Sequence, residues 1–360
     1  MSIPAHMHAV VVHGVGDYRL EQVPVPQIGP GEVLIRVLAT GVCASDAKTF
    51  YGAARIWGDE QMPRHILTPV IAGHEFVGQV VALDEVAAQK HGIGLGDHAV
   101  SEQIVPCWEC RFCRHGQYWM CERHDIYGFR RARAEGSWAE YMKFPSGAIV
   151  HKVPDTVTPT QGALVEPLAC AIHAVERADI ALGDTVVIAG MGPIGMCMLQ
   201  VARMRSPAKL IALDLQPTRL ALARELGADA ALNPQQEDAA QCVLDLTGGY
   251  GCDVYIEASG AGAAVSQGLA MIRKLGTFVE FSVHGEPVTV DWSIIGDAKE
   301  LNIHGAHLGP YCYPIAIRYV GEAAIRVDEL ITHRLPLAQF ERGIQLSHDQ
   351  KESLKVILLP

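Results

Sequence analysis

Four cysteines, Cys107, Cys110, Cys113 and Cys121, fall within fifteen residues, a spacing that lets four thiolates close a tetrahedral shell around one Zn²⁺. The residues between them, including Trp108, Arg111 and His115, are too polar for four thiols buried merely as small hydrophobes. A complete shell leaves no corner open, so the expected zinc is structural. A second pattern, Gly190-x-Gly192-x-x-Gly195, follows the apolar run Val186–Ala189 and opens a helical pattern, with Pro193 and Ile194 inside the turn. Glycines there let backbone approach a pyrophosphate, and the helix start offers free N–H groups. Asp214 lies 19 residues after Gly195, at the end of the next apolar run, where a carboxylate accepts from ribose hydroxyls and repels a 2′-phosphate. NAD is therefore expected over NADP, although Arg219 is a group that could accommodate that phosphate.

These residues need elements to hold them. Short β-branched or aromatic runs bounded by Gly/Pro breakers predict strands at Met7–Val12, Tyr18–Val23, Val33–Ala39, Phe76–Leu83 and Ala139–Phe144, an all-β, barrel-like first third. From Thr185 the texture alternates: strands at Thr185–Ala189, Leu210–Leu213, Ala230–Leu232, Asp253–Ala258 and Thr277–Phe281, with helices at Ile194–Arg205, Thr218–Leu226, Glu237–Leu246 and Ala263–Lys274. That rhythm is the mark of βαβ units on a parallel sheet. It is lost after about His304, so the tail is expected to rejoin the first domain. The fold class is thus α/β, with a discontinuous domain 1–157 plus 304–360 and a doubly wound domain 158–303 between its parts. Ser259 and Ser282 fall at the carboxyl ends of parallel strands, where an open α/β sheet binds its ligand. Both also read as plain loop residues. Residues 50–69, with Trp57, Asp59, Glu60 and His65, form a long irregular stretch suited to a substrate lid or a subunit contact.

Composition narrows the partners. A net charge of −11 removes the electrostatic footprint of a nucleic-acid or anionic-membrane binder, leaving a small molecule as the expected ligand. The uncharged run 185–202 is interrupted at its centre by Gly190 to Gly195, which argues against a membrane span. Ten cysteines and no N-terminal secretory pattern point to a reducing compartment, with the cytoplasm as default.

Taken in order, Gly41-Val-Cys43-Ala-Ser45-Asp46, Gly73-His74-Glu75-Phe-Val-Gly78, the four-cysteine lobe, Glu166-Pro167 and the glycine loop resemble the zinc-dependent medium-chain dehydrogenases over nearly the whole chain. Glu166-Pro167 in place of a further cysteine is similar to the polyol, or sorbitol-type, branch. The stretches Ile104–Cys121, Val279–Val283 and Gly305–Pro314 look most like bacterial dehydrogenases of erythritol and L-threitol. The resemblance implies a GroES-like β-barrel catalytic domain and a Rossmann domain, with the active site in the cleft between them. It implies two zincs per chain, NAD, a homodimer or homotetramer, and reversible oxidation of a secondary hydroxyl of a small polyol to a ketose.

Residue by residue, the resemblance implies Cys43, His74 and Glu166 as ligands of a catalytic zinc, with Glu75 able to share or exchange the third place. Singly, each has a plainer reading as a buried thiol, a hydrogen-bonded core histidine or a surface acid. Asp46 matches the acid that orients the ligating histidine, and otherwise reads as a loop acid. Ser45 matches the hydroxyl that passes the substrate proton outward, and otherwise reads as a helix cap at the start of Ser45–Tyr51. Some relatives place a histidine three residues after this serine; here Lys48 stands there.

Overall fold

The computed structural model describes residues 3–131, 133–349 and 351–360, so the first two residues of the expected first domain lie outside it. The chain forms two compact units, one of residues 1–166 with 313–360 and one of residues 167–312.

The first unit is built mainly of strands. Val33–Val42 lies centrally in a seven-stranded sheet, antiparallel to Phe76–Leu83, to Tyr141–Phe144 and to the C-terminal Lys355–Leu359. The C-terminal strand thus lies in the same sheet as the N-terminal ones. A three-stranded sheet, Asp17–Pro24, His6–Gly14 and Val70–Ile71, joins the larger one through an Ala9–Ala139 bridge. Val33, Ile35, Phe76, Val80, Met142 and Phe144 fill the core of this unit. Burial of each large apolar side chain contributes about 1.5–3 kcal/mol. Helix Ala44–Phe50 follows the central strand directly.

The second unit is a six-stranded parallel sheet in the order Ala230–Leu232, Lys209–Leu213, Thr185–Ala189, Cys252–Glu257, Ile272–Glu280, Asn302–Gly305. This is the doubly wound order, with the first strand beside the switch point where ligands bind. Thr185–Ala189 is buried at every residue, which is why its sequence is continuously apolar rather than alternating. Two predicted boundaries need correction. The helix from Gly262 ends at Met271 instead of Lys274, because Ile272 already packs into the core as the first residue of the next strand. A sixth strand, Asn302–Gly305, straddles the point near His304 after which the rhythm fades; it is an edge strand, largely exposed and therefore weakly apolar. Among the described residues no helix is long and apolar enough to cross a membrane.

Candidate metal centres and dinucleotide loop

Helix Ala44–Phe50 is capped two residues before Ser45, the residue that the plainer reading would make its cap. Cys43 is its N-cap, and Asp46 Oδ2 accepts from Cys43 N at 2.8 Å. Ser45 is thus within the first turn and is not the cap, because the Asp46 carboxylate already serves the helix start. Its hydroxyl is free to lie 3.4 Å from His74 Nε2.

Donor atoms of Cys43, His74 and Glu75 lie within 4.8 Å of one another, the last two on fully buried side chains. His74 Nδ1 faces Asp46 Oδ1 at 3.7 Å and has no hydrogen-bond partner of its own. Burial alone would suppress the imidazolium, but the Asp46 carboxylate, the Cys43 sulfur and Glu166 outweigh it and hold His74 well above its ordinary value. Burial is also the main reason Asp46 lies above the usual carboxylate range, with His74 opposing. A soft sulfur, an imidazole and a carboxylate converging at this range fit a divalent cation of the zinc type. The glycine before Cys43 is required by close approach: a Cβ on Gly41 would collide with Glu75 Oε2.

Each candidate third donor has a carboxylate oxygen in a buried polar contact. Glu75 Oε2 contacts Lys355 Nζ, and Glu166 Oε1 accepts from Gln103 Nε2. Of the two, it is Glu75 whose carboxylate closes the compact trio. Neither Lys355 nor Gln103 was singled out in the sequence. Lys355 did leave a signal, as the one cation opening the apolar strand Lys355–Leu359, since a buried lysine requires a carboxylate partner.

The Sγ atoms of Cys107, Cys110, Cys113 and Cys121 also converge within 4.8 Å. Cys107 and Cys113 stand 3.9 Å apart, far beyond a disulfide bond. Backbone N–H groups of Glu109 and Cys110 aim at Cys107 Sγ at 3.4 and 3.3 Å, and that of Cys107 at Cys121 Sγ at 3.3 Å. Donation from the Cys113 and Glu122 backbone holds Cys110 down to about 6, while burial and the neighbouring Cys110 push Cys113 up to about 12. Negative charge is thus stabilised on part of the cluster and resisted on the rest, which fits a site completed by one cation.

In the second unit Gly190 has φ +95°, and a Cβ there would stand 2.7 Å from Ser259 N. A Cβ on Gly195 would collide with Gly190 O, whereas one on Gly192 would meet nothing within 4 Å. Packing therefore demands the outer two glycines, and the middle one faces an open cradle at the N-cap of helix Pro193–Arg203. This is the arrangement a pyrophosphate would fill. Asp214 spans the loop, accepting from Met191 N at 2.7 Å and Gln216 N at 2.8 Å, with Arg219 Nη1 3.9 Å away. Ser259 donates through both N and Oγ to Glu257 Oε1, and Ser282 Oγ donates to Glu257 O at 3.4 Å. Glu257, wholly buried and clustered with Glu280 and His284, is a further group the sequence reading missed. In the 50–69 segment, Trp57 Nε1 donates to Thr49 O at 2.7 Å and Arg64 lies over the indole at 5.0 Å, tying the stretch to helix Ala44–Phe50. Lys48 is exposed in the last turn of that helix.

Comparison with known proteins agrees with this architecture. Residues 29–155 match the alcohol dehydrogenase GroES-like domain and residues 193–322 the zinc-binding dehydrogenase family. The chain is 56% identical over 358 residues, 99% of each chain, to erythritol/L-threitol dehydrogenase of Mycolicibacterium smegmatis (strain ATCC 700084 / mc(2)155). It is 33% identical to human sorbitol dehydrogenase, covering 94% of each chain. A zinc-binding dehydrogenase of Sinorhizobium meliloti 1021, solved bound to NADP, superposes with a TM-score of 0.88 at 29% identity over 99% of this chain and 100% of that one. The chain belongs to the zinc-dependent medium-chain dehydrogenases, in their polyol branch, with a GroES-like and a Rossmann-like domain.

Proposed function

We propose that this chain is an NAD-linked polyol dehydrogenase that reversibly oxidises a secondary hydroxyl of a small polyol of the erythritol or threitol type to a ketose. The observation that carries the proposal is the convergence of Cys43, His74 and Glu75, with Ser45 Oγ 3.4 Å from His74 Nε2, in a chain 56% identical to an erythritol/L-threitol dehydrogenase. The GroES-like unit is taken as the catalytic domain and the parallel-sheet unit as the NAD-binding domain. Cys43, His74 and an acid, Glu75 or Glu166, would hold one zinc, and Cys107, Cys110, Cys113 and Cys121 a structural one. A zinc ion at the first site supplies Lewis acidity, lowering the pKa of an alcohol and stabilising developing negative charge on its oxygen.

The chain's own residues do the rest. Ser45 Oγ would accept the proton of the substrate hydroxyl while passing its own outward, as the carbinol C–O becomes C=O; NAD⁺, when bound, would supply the acceptor for the hydride that leaves with the C–H bonding pair. Asp46 faces His74 Nδ1 at 3.7 Å, the side from which a carboxylate would orient the ring once Nε2 is engaged. Gly190, Gly192, Pro193, Ile194 and Gly195 cradle the pyrophosphate, and Asp214 reads the ribose, with Arg219 as its neighbour. Ser259 and Ser282 line the strand ends towards the nicotinamide. A cytoplasmic homodimer or homotetramer is the assembly we expect.

A panel of ethanol, glucose, sorbitol, threitol and erythritol, each with NAD⁺ and NADP⁺, tests metal, cofactor and substrate class together. The expected result is fastest turnover of a four-carbon polyol with NAD⁺. Fastest turnover of a primary alcohol would overturn the polyol assignment, and preference for NADP⁺, the cofactor bound in the Sinorhizobium meliloti relative, would overturn the reading of Asp214.

A further inference from the structure

A chain of buried polar groups runs from the four-cysteine lobe to Glu166, through hydrogen bonds and the peptide link between Glu102 and Gln103. Tyr118 lies between Cys113 and Cys121 in the turn Tyr118–Met120, and Cys121 N donates to its carbonyl at 3.0 Å. Its hydroxyl donates to Glu102 Oε2 at 2.7 Å, while Glu102 Oε1 faces His151 Nε2 at 3.1 Å. The next residue, Gln103, donates from its backbone N to Tyr313 Oη at 3.1 Å; Tyr313 Oη donates back to Gln103 Oε1 at 2.9 Å. Gln103 Nε2 then donates to Glu166 Oε1. Tyr118, Glu102, Gln103, Tyr313 and Glu166 are all buried, and the His151 ring stacks on Tyr313 at 5.6 Å and 21°.

This wiring fixes which way the Gln103 amide points. The Tyr313 hydroxyl carries one proton and already accepts from Gln103 N, so its proton goes to Oε1. Turning the amide over would set Oε1 against the Glu166 carboxylate with no proton between them, and Nε2 against the hydroxyl's donor. Nε2 is therefore held on Glu166 Oε1, in a charge-assisted bond. Glu102 is anchored on both carboxylate oxygens and through its backbone N to Ile149 O at 2.9 Å, so its neighbour Gln103 has little room to shift.

We propose that the four-cysteine lobe sets the position of Glu166 through Tyr118, Glu102 and Gln103, with Gln103 as the positioning residue for the centre formed by Cys43 and His74. The inference rests on the reading of that centre given above. It gives the structural lobe a consequence for catalysis: displacing Tyr118 loosens an acid at a different metal centre.

The test uses the full zinc-loaded chain and the variants Gln103→Leu, Tyr118→Phe, Tyr313→Phe and Glu166→Gln. Zinc release to a chelating dye is followed in time, with Cys43→Ala identifying the phase that belongs to the Cys43 centre; kcat, KM and thermal unfolding accompany it. Gln103→Leu is expected to speed release from that centre and lower kcat by about 10–100-fold, the usual effect of losing a partner that orients a metal ligand, while release from the lobe stays near wild type; the melting temperature falls, because Glu166 and Tyr313 each lose a buried partner, but the protein stays folded at the assay temperature. Tyr118→Phe should move the same phase in the same direction by a few-fold. A folded Gln103→Leu that releases zinc and turns over like wild type, while Glu166→Gln is impaired, would overturn the inference and leave the proposed function standing. If Glu166→Gln itself behaves as wild type, the role of Glu166 falls and the inference with it. Should Gln103→Leu fail to fold, Tyr313→Phe, which keeps the ring on His151, decides on the same readouts.

Discussion

Lys355 Nζ and Glu75 Oε2 are in direct contact, each side chain 2% exposed, and the same ammonium donates to Val42 O at 3.2 Å. Burial works against the lysine's charge, but Glu75 and the Cys43 sulfur raise its pKa above the ordinary value, so it stays protonated. The C-terminal strand thus delivers a fixed positive charge beneath a candidate metal ligand. Removing one member of a buried pair leaves the other uncompensated, at a cost of about 3–5 kcal/mol. Lys355→Met should therefore lower unfolding stability in urea by that amount, and adding Glu75→Gln should restore at least half of it. Equal losses in the single and double variants would show that the unpaired carboxylate is not the cause.

Asp214 performs two tasks at once, tying Met191 N and Gln216 N together and standing 3.9 Å from Arg219. Replacing it with serine keeps a short acceptor but removes the charge that repels a 2′-phosphate and restrains Arg219. Asp214→Ser should weaken NADH binding, measured by fluorescence titration, and shift the NADH/NADPH preference towards NADPH by about 10-fold, equivalent to about 1.4 kcal/mol. An unchanged preference would mean that the ribose contact lies elsewhere.

Much of this was legible because it is local. The alternation of apolar runs with helical patterns gave the parallel sheet, and Val186, Val187 and Ile188, buried on both faces, read as an unbroken apolar run for that reason. The glycine loop and the cysteine lobe are contiguous, so spacing alone brings their atoms together. Cys43, His74 and Glu75 required the family resemblance, because strand pairing across the sheet, not sequence distance, makes them neighbours. Lys355 and Gln103 escaped because each acts on an acid hundreds or tens of residues away, and nothing in their immediate sequence names the partner. The plainer alternative for Ser45, a helix cap, fails because Cys43 is the N-cap and Asp46 reaches backward to its N, a contact that only the folded turn reveals.

The cysteine lobe should bind zinc with a pronounced dependence on pH. With burial pushing Cys113 up to about 12, this thiol is protonated at neutral pH and must lose its proton on binding. Cys110, held down to about 6 by backbone donors, adds a further proton only in more acidic solution. Lobe affinity, measured by chelator competition, should therefore fall as pH falls, and fall more steeply below about 6 than above it. Cys113→Ser should weaken the lobe and reduce the protons released per zinc. A stable Cys113→Ser protein with full zinc content and unchanged proton release would contradict a four-thiolate site.

Acid should also destabilise the fold through histidines held neutral. His91 ends helix Glu85–His91, where the helix dipole would welcome a cation. Burial nevertheless dominates and, with Lys90 and His151 nearby, pushes its pKa down to about 4; burial and Arg177 do the same to His173. An unfolded histidine takes its proton near 6.5. Between about 6.5 and 4 the unfolded chain binds more protons than the folded one, so stability rises with pH across that window and is lost on acidification. Urea midpoints of wild type and His91→Gln, compared at intervals from pH 7.5 to 4.5, should therefore draw together or cross as pH falls, because the variant lacks one of these penalties. A constant gap between the two across the series would show that His91 titrates alike in both states and that its burial carries no pH dependence.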